Sequence, residues 1–215
     1  MEYMPCTSDP DLWMKPMVRP SDGDDYYLYI LLCVNDILCL HHNDDSVLTK
    51  VENYFKLKPD SVGEIDMYLG AKVRQMKLDI GVWAWALSPS QYVKESCRNV
   101  QKYVKDNLGG IWKLPNQAPN SFAMGYAPTL DASPVLEISS ASYYQSQIGV
   151  LIWMFDLGRV DINTEILLLV YYLALPREGH IESVLHVYGY LCAKHNTRLA
   201  LDPSYPDIYE SQFLQ

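Results

Sequence analysis

Residues 26–40 read YYLYILLCVNDILCL, an apolar run that one polar pair, Asn35-Asp36, divides into two parts. Aromatic and branched side chains favour β-strands, and two such runs around a short polar pair are typical of a β-hairpin. Asn and Asp tolerate left-handed backbone geometry, so the pair suits the turn. The sequence therefore predicts two strands that hold one carboxylate, that of Asp36, at their connecting turn.

The segments around this hairpin predict an α+β fold. Strands are expected at 11–18, 67–75 and 82–87. A helix is expected after Asp44 or Asp45, either of which could cap it. The sequence Ser88-Pro89-Ser90-Gln91 has the form of a capping box with proline at the first helical position, so a second helix should run to about Asp106. The apolar stripes of these two helices consist of Val47, Val51, Tyr54 and Phe55, and of Val93, Cys97, Val100 and Val104.

The second half of the chain predicts a helical region. Residues 114–134 are dense in Pro, Asn, Ala, Ser and Gly, and predict a linker or an extended connection. Beyond them we expect a helix capped by Ser139 or Ser140, a helix over 161–175, a third from Pro176 to about 195, and a closing strand at 198–202. The residues expected to face the core are Tyr144, Ile148, Leu151, Phe155, Val184, Val187 and Leu191.

Composition bounds the class of protein. The chain has 215 residues, 49% hydrophobic and 20% charged, which is enough to bury a core in one large or two small domains. Five cysteines without a Cys-x-x-Cys pair favour reduced thiols in an intracellular setting, cytoplasmic or nuclear, without structural zinc. The longest apolar run, 166–175, is shorter than the roughly 20 residues of a membrane-spanning helix, so no membrane partner is expected.

Charge argues against strong binding to nucleic acid. Lys and Arg number 17 against 26 acidic residues, which gives a net charge of −9, whereas duplex-binding proteins gather excess positive charge. One stripe is locally positive despite the net negative charge. Helical periodicity places four cations opposite the apolar side of the helix that begins near Ser88. The stripe is either a solvated surface or a contact for a phosphate backbone. It consists of Lys94, Arg98, Lys102 and Lys105.

Histidine and tryptophan residues give further candidates. The segment His41-His42-Asn43-Asp44-Asp45 is rich in metal-ligand side chains, but consecutive ligands point to one centre only in a tight loop, so helix capping and solvent contact are the alternative. His180 and His186 lie on a predicted amphipathic helix, where packing or capping explains them better than catalysis. Trp83 and Trp85 alternate along a strand, so at least one should pack inward, and the other could stack on a base.

The hairpin also carries a resemblance to a known family. Cys33-Val34-Asn35-Asp36-Ile37-Leu38 resembles the Tyr-Val-Asp-Asp-Ile-Leu box of reverse transcriptases from Ty1/copia-type LTR retrotransposons. Further similar segments follow in the family's order and cover nearly the whole chain. They are 8–13 (SDPDLW), 67–73 (MYLGAKV), 141–151 (ASYYQSQIGVL), 158–162 (GRVDI), 175–180 (LPREGH) and 199–203 (LALDP).

This resemblance implies an organisation for the chain. Residues 1–87 would form part of a polymerase palm with a degenerate catalytic hairpin, and 88–137 a thumb-like basic helix with a Pro/Asn-rich linker. Residues 138–215 would form the helical connection that leads towards ribonuclease H in the Pol polyprotein. Tyr68-Leu69-Gly70 would lie near the region that grips the primer end, and the basic helix near the RNA/DNA hybrid.

The resemblance also implies an incomplete metal site. In the family, both aspartates of the box and a further aspartate on an earlier strand help bind catalytic Mg²⁺. Asn35 takes the place of the first aspartate and offers one neutral oxygen, whereas hard cations prefer charged oxygen ligands; only Asp36 remains, as a weak residual ligand. The earlier strand and a nucleotide-holding segment would precede this sequence. Two-metal chemistry needs several carboxylates, so we expect an RNA-directed DNA polymerase homologue that is inactive alone, a pseudoenzyme without productive Mg²⁺.

Two alternatives stay open at this point. The retained helices could serve as a non-enzymatic protein-interaction module derived from a retrotransposon, with protein partners in place of a hybrid. The sequence could also be part of a longer reading frame. Binding to a primer-template hybrid separates the polymerase fragment from the interaction module.

Overall fold

The computed structural model describes residues 3–33, 36–43, 45–57, 62–107, 114–115 and 118–204. The chain forms two compact units, Met1–Leu69 and Gly70–Gln215. The architecture mixes α and β, with antiparallel sheets and, within the described ranges, five α-helices. Strands 71–77 and 83–88, which the sequence analysis assigned to the palm-like part, lie in the second unit together with the basic helix.

The first unit is built on an antiparallel sheet with the order β1-β2-β3-β4. Its helix α1 follows β4 directly, and a two-residue strand β5 comes just before the unit ends. The bounds are β1 (Met4–Pro5), β2 (Leu12–Val18), β3 (Asp25–Cys33), β4 (Asp36–Leu40), α1 (Asp45–Glu52) and β5 (Met67–Tyr68).

The predicted hairpin is confirmed, but its turn differs from the prediction. In the β3–β4 register Leu32 lies opposite Ile37, and Cys33 lies opposite Asp36. Asp36 is therefore the first residue of β4 and not a turn residue. Residues 34–35 join the two strands in the sequence. The prediction for Asn35 lies outside the described residues.

The core of the first unit is small. Leu28 and Ile30 from β3 and Val47 from α1 are buried together, with half-buried apolar side chains of β2 and β4 around them. The predicted stripe of α1 is wrong at its C-terminal end, since Tyr54 and Phe55 are exposed. The helix ends at Glu52, so these two rings follow the helix instead of continuing its buried face.

Over its described residues, the second unit combines antiparallel strands with four α-helices. Strand β6 pairs with β7, and β7 pairs with β8, the closing strand that the sequence predicted. The bounds are β6 (Ala71–Lys77), β7 (Trp83–Ser88), α2 (Ser90–Asn107), α3 (Ile138–Asp156), α4 (Asn163–Val170), α5 (Glu178–Ala193) and β8 (Leu199–Leu201).

The helices of the second unit share one apolar core. The predicted stripes are confirmed for the most part, with Val104 and Phe155 packed at the edge of the core. Two helix boundaries differ from the prediction. Helix α3 starts at Ile138 with Glu137 as N-cap, so Ser139 and Ser140 lie within its first turn. The predicted helix 161–175 is divided into a short 3-10 turn, Val160–Ile162, and α4, which ends at Val170.

The described part of the segment before α3 is an irregular connection that contains a 3-10 helix, Pro128–Leu130, and contacts α5. Ala118 is buried, and the Asn120 carbonyl lies 3.1 Å from Nε2 of His186. His180 is buried and accepts a hydrogen bond from the Arg177 N–H, 3.1 Å, which caps the start of α5. The predicted packing and capping roles of the two histidines are therefore confirmed.

Two expectations drawn from composition can be compared with the fold. Within the described ranges, no helix combines the length and apolar character needed to cross a bilayer. All five cysteines are described, and none of them is in a disulfide. Cys97 of α2 and Cys192 of α5 are hydrogen-bonded to each other; this bond, together with burial, raises the pKa of the Cys97 thiol.

Leu28→Ala tests whether the small core holds the first unit. Removing this 2%-exposed side chain should cost about 2 to 5 kcal/mol and should raise hydrogen exchange at the β3 amides. Leu32→Ala is the matched control, because Leu32 lies on the same face of β3 but is 39% exposed. Equal effects of the two substitutions would contradict the assignment of the core.

Candidate nucleic-acid interface

Asp36 lies at one end of the first sheet. Strand alternation places Asp36 and its partner Cys33 on the face opposite the one that α1 covers, since Ile30 and Ile37 belong to the α1 face. The side chain is exposed. One exposed carboxylate can accept hydrogen bonds or attract a cation. A two-metal centre requires more charged ligands than this residue supplies.

Tyr68 lies within electrostatic range of this end of the hairpin. Burial is the main reason that the pKa of the Tyr68 hydroxyl is raised, and the negative charges of Cys33, Asp36 and Asp9 raise it further. Tyr68, one of the three predicted primer-grip residues, therefore belongs to the same region of the first unit as Asp36, without a hydrogen bond between the two.

Sequence reasoning missed Asp9 as a neighbour of the hairpin. The carboxylate of Asp9 accepts a hydrogen bond from the Asp11 N–H, 3.0 Å, and the Leu32 N–H donates to the Asp11 carbonyl, 2.9 Å. This loop therefore lies at the same sheet end as Asp36. The turn-forming sequence Ser8-Asp9-Pro10-Asp11, just before a strand antiparallel to β3, was the available signal. Across the described residues, no three His, Cys, Asp or Glu side chains gather closely enough to hold a metal ion.

Leu69 and Gly70, the other two predicted primer-grip residues, form a left-handed turn. Their φ angles are 52° and 89°. Glycine adopts such angles at no steric cost, but a leucine in this region costs roughly 1 to 2 kcal/mol. The backbone after Tyr68 is therefore strained at a position that the sequence singled out.

Helix α2 presents the predicted cationic stripe to solvent. Val93, Cys97 and Val100 face the core, and the stripe lies on the opposite side of the helix. Arg98, Lys102 and Lys105 are exposed and Lys94 is half-buried. Glu95 borders the stripe and accepts a 2.7 Å hydrogen bond from Gln91. The stripe can therefore follow a phosphate backbone with three or four contacts.

The tryptophans of β7 contradict the prediction that at least one packs inward. Trp83 and Trp85 are 62% and 43% exposed, whereas the alanines at 84 and 86 are buried. Alternation puts both tryptophans on one face, where Lys77 lies opposite Trp83. This face of the strand pair carries two exposed indole rings and the ammonium group of Lys77, a combination that suits stacking on bases beside a phosphate.

An ion pair between a buried arginine and a partly exposed aspartate stabilises the second unit. Arg159 is 0% exposed and donates to Asp161 through Nε and Nη2, 2.9 and 2.7 Å. Burial alone would raise the pKa of Asp161, but the hydrogen bonds and charge of Arg159 and the Tyr190 hydroxyl outweigh it and lower the pKa. The remaining atom Nη1 of Arg159 is buried without a hydrogen-bond partner in the described structure. The buried guanidinium of Arg159 therefore depends on Asp161 for its counter-charge and for two of its hydrogen bonds.

Comparison with known proteins gives one informative match. The chain is 26% identical over 180 residues to a protein of Saccharomyces cerevisiae named "Putative transposon Ty5-1 protein". The match covers 80% of this chain and 50% of the yeast protein, so the chain spans about half the length of that relative. No family model matches the chain, and no solved structure matches it. The likeness supports a retrotransposon-related protein.

The Asp161→Asn substitution should destabilise the second unit by about 3 to 5 kcal/mol, because it leaves the guanidinium of Arg159 buried without a counter-charge. Thermal or denaturant unfolding measures this loss. Asp156→Asn, at an exposed acid close in sequence, is the control and should be near neutral. Since the folded-state pKa of Asp161 is lowered, its stabilisation is complete above the unfolded pKa and is lost as the pH falls through the folded pKa. The difference between wild type and Asp161→Asn should therefore shrink in acid, and a constant difference would contradict this account.

Proposed function

We propose that this chain is a fragment of a copia-type reverse transcriptase that holds an RNA/DNA hybrid weakly and does not polymerise DNA by itself. The observation that carries the proposal is the β3–β4 hairpin, which places Asp36 at the first position of β4 on the exposed face, with Tyr68 within electrostatic range. The similarity to the yeast transposon protein supports the same origin. In this proposal the first sheet and α1 are the palm-like part, α2 is the thumb-like helix, and 138–215 is the connection.

Hybrid binding would use two kinds of contact. The exposed cations of α2 would bind phosphates, and each contact would add about one to the slope of log affinity against log salt. The indole rings of Trp83 and Trp85 would stack on unpaired bases, a contact worth about 1 to 3 kcal/mol per base. The net charge of −9 opposes both contacts. The affinity should therefore be low and strongly dependent on salt.

Catalysis is not part of the proposal. Asp36 is one carboxylate, and Asn35 offers a neutral oxygen in place of a second. In-line displacement by two metal ions needs charged ligands that fix both ions a few ångströms apart. In the family, Mg²⁺ supplies this chemistry, and Asp36 would be its residual, weak ligand here.

Neutralising the α2 stripe tests the binding surface. Arg98→Gln with Lys102→Gln should lower the salt slope for a primer-template hybrid by about two, measured by fluorescence anisotropy at several salt concentrations. Lys50→Gln with Lys56→Gln removes the same charge from the first unit and is the matched control. If both pairs have the same effect, binding depends on overall charge and not on the stripe.

Primer extension tests the absence of catalysis. The purified chain should extend no primer with Mg²⁺ or Mn²⁺. The Asn35→Asp variant should behave in the same way, because the family's third ligand lies on a separate strand. An active reverse transcriptase on the same hybrid shows that the assay works. Extension by the unaltered chain would overturn the proposal.

A non-enzymatic interaction module is the second candidate function. The observation that favours it is the outward face of α4, where Leu167 and Leu168 are 56% and 37% exposed and Tyr171, just after the helix, is 83% exposed. Contiguous apolar surface of this kind marks interaction sites in many proteins. Absence of hybrid binding even at low salt would favour this candidate over the polymerase fragment.

A further inference from the structure

Two consecutive histidines meet one tyrosine hydroxyl in the first unit. Nδ1 of His41 lies 2.8 Å from Oη of Tyr26, and Nδ1 of His42 lies 3.4 Å from the same atom. The His41 ring stacks on Tyr26, with centroids 5.8 Å apart and planes 17° apart, and the His42 ring stands nearly at right angles to His41. Neighbouring side chains thus converge on one point, which the sequence alone made doubtful.

A tight connection makes this convergence possible. Strand β4 ends at Leu40 and α1 starts at Asp45, so both histidines lie in a short turn that is held at each end. The Ser46 hydroxyl donates to the Asn43 carbonyl, 2.9 Å, and fixes the entry into α1. In this turn two consecutive side chains reach the same oxygen atom.

Both spacings from the tyrosine oxygen are compatible with a coordination sphere. Ligand atoms that lie about 2.0 to 2.1 Å from one ion, at angles between a right angle and the tetrahedral angle, are roughly 2.9 to 3.4 Å apart. The two Oη–Nδ1 distances of 2.8 and 3.4 Å are close to this range. Imidazole nitrogen is a ligand for borderline divalent ions such as Zn²⁺, and the tyrosine oxygen is a further donor atom.

A cavity gives access to the same three side chains. It has a volume of about 290 Å³ and is lined by Tyr26, His41, His42, Leu40 and Arg19. Arg19 is paired with Asp22 and Asp24 at 3.2 and 3.3 Å, which offsets the repulsion that a cation would meet. Water can occupy the coordination positions that the protein leaves open.

We propose that Tyr26, His41 and His42 form a binding site for a divalent transition-metal ion of the zinc type. The two Nδ1 atoms each give a lone pair to the ion. The Oη atom of Tyr26 gives a lone pair to the same ion. No electron transfer is involved. The site belongs to the first unit and does not depend on hybrid binding or on Asp36.

Cobalt titration of the untagged full chain, kept reduced by a phosphine, tests the site. One equivalent of Co²⁺ should give visible bands of a four- or five-coordinate ion without a thiolate-to-cobalt band, and one equivalent of Zn²⁺ should displace it. His42→Ala and Tyr26→Phe should each weaken Co²⁺ binding tenfold or more. His186→Ala, at a histidine of the second unit, is the control and should leave binding unchanged.

Folding of the variants is checked by circular dichroism. His42 is exposed, and Tyr26→Phe keeps the ring that stacks on His41, so both variants should fold. If one variant does not fold, Co²⁺ binding by the other variant tests the site. Zn²⁺ should raise the melting temperature of the wild type but not of the variants. A thiolate-to-cobalt band, or equal affinity of the wild type and both folded variants, would overturn the proposal.

Discussion

The pairing of Cys33 with Asp36 is the constraint on which the candidate site depends. This register leaves two residues for the turn and puts the Asp36 carboxylate on the sheet face opposite the one that α1 covers. A slip of one residue would move every side chain of β4 to the other face, which would bury the carboxylate under α1 and expose Ile37 and Cys39. Burial of the charged Asp36 carboxylate would be costly, and this cost opposes such a slip. The exposed position of Asp36, and the functional proposal with it, follows from this register.

The two units differ in how they are stabilised. The first unit buries Leu28, Ile30 and Val47 fully and leaves many apolar side chains of its sheet half-exposed. In its described residues, the second unit packs four α-helices around a much larger apolar core and contains the ion pair of the buried Arg159 with the partly exposed Asp161. Such a pair adds little net stability, but loss of the aspartate is costly because it leaves the arginine buried without a counter-charge. The candidate metal and nucleic-acid residues lie at the surface of one unit or the other. The stability of the second unit comes from its interior instead.

Much of the fold could be predicted because its signals are local. The period-two pattern of 26–40 indicated the hairpin, and the helical periods of Val93, Val100, Val184 and Leu191 indicated core faces. The failures came where tertiary context decides. Trp83 and Trp85 are large and apolar, yet the face with the small alanines is the buried one. Tyr54 and Phe55 continued the α1 period beyond the point where the helix ends. The contacts of Asp9 with the hairpin end and of His41 with Tyr26 join residues distant in sequence, and no local pattern reports such contacts.

The central claim is that the hairpin itself contributes one carboxylate, Asp36, and that the described residues around it, Asp9 included, supply too few charged ligands to fix a pair of catalytic ions. Anomalous diffraction from crystals of the chain soaked in Mn²⁺ with a primer-template hybrid tests this claim most directly. The account predicts no pair of manganese peaks beside Asp36. Two peaks a few ångströms apart and bonded to the Asp36 carboxylate would contradict it.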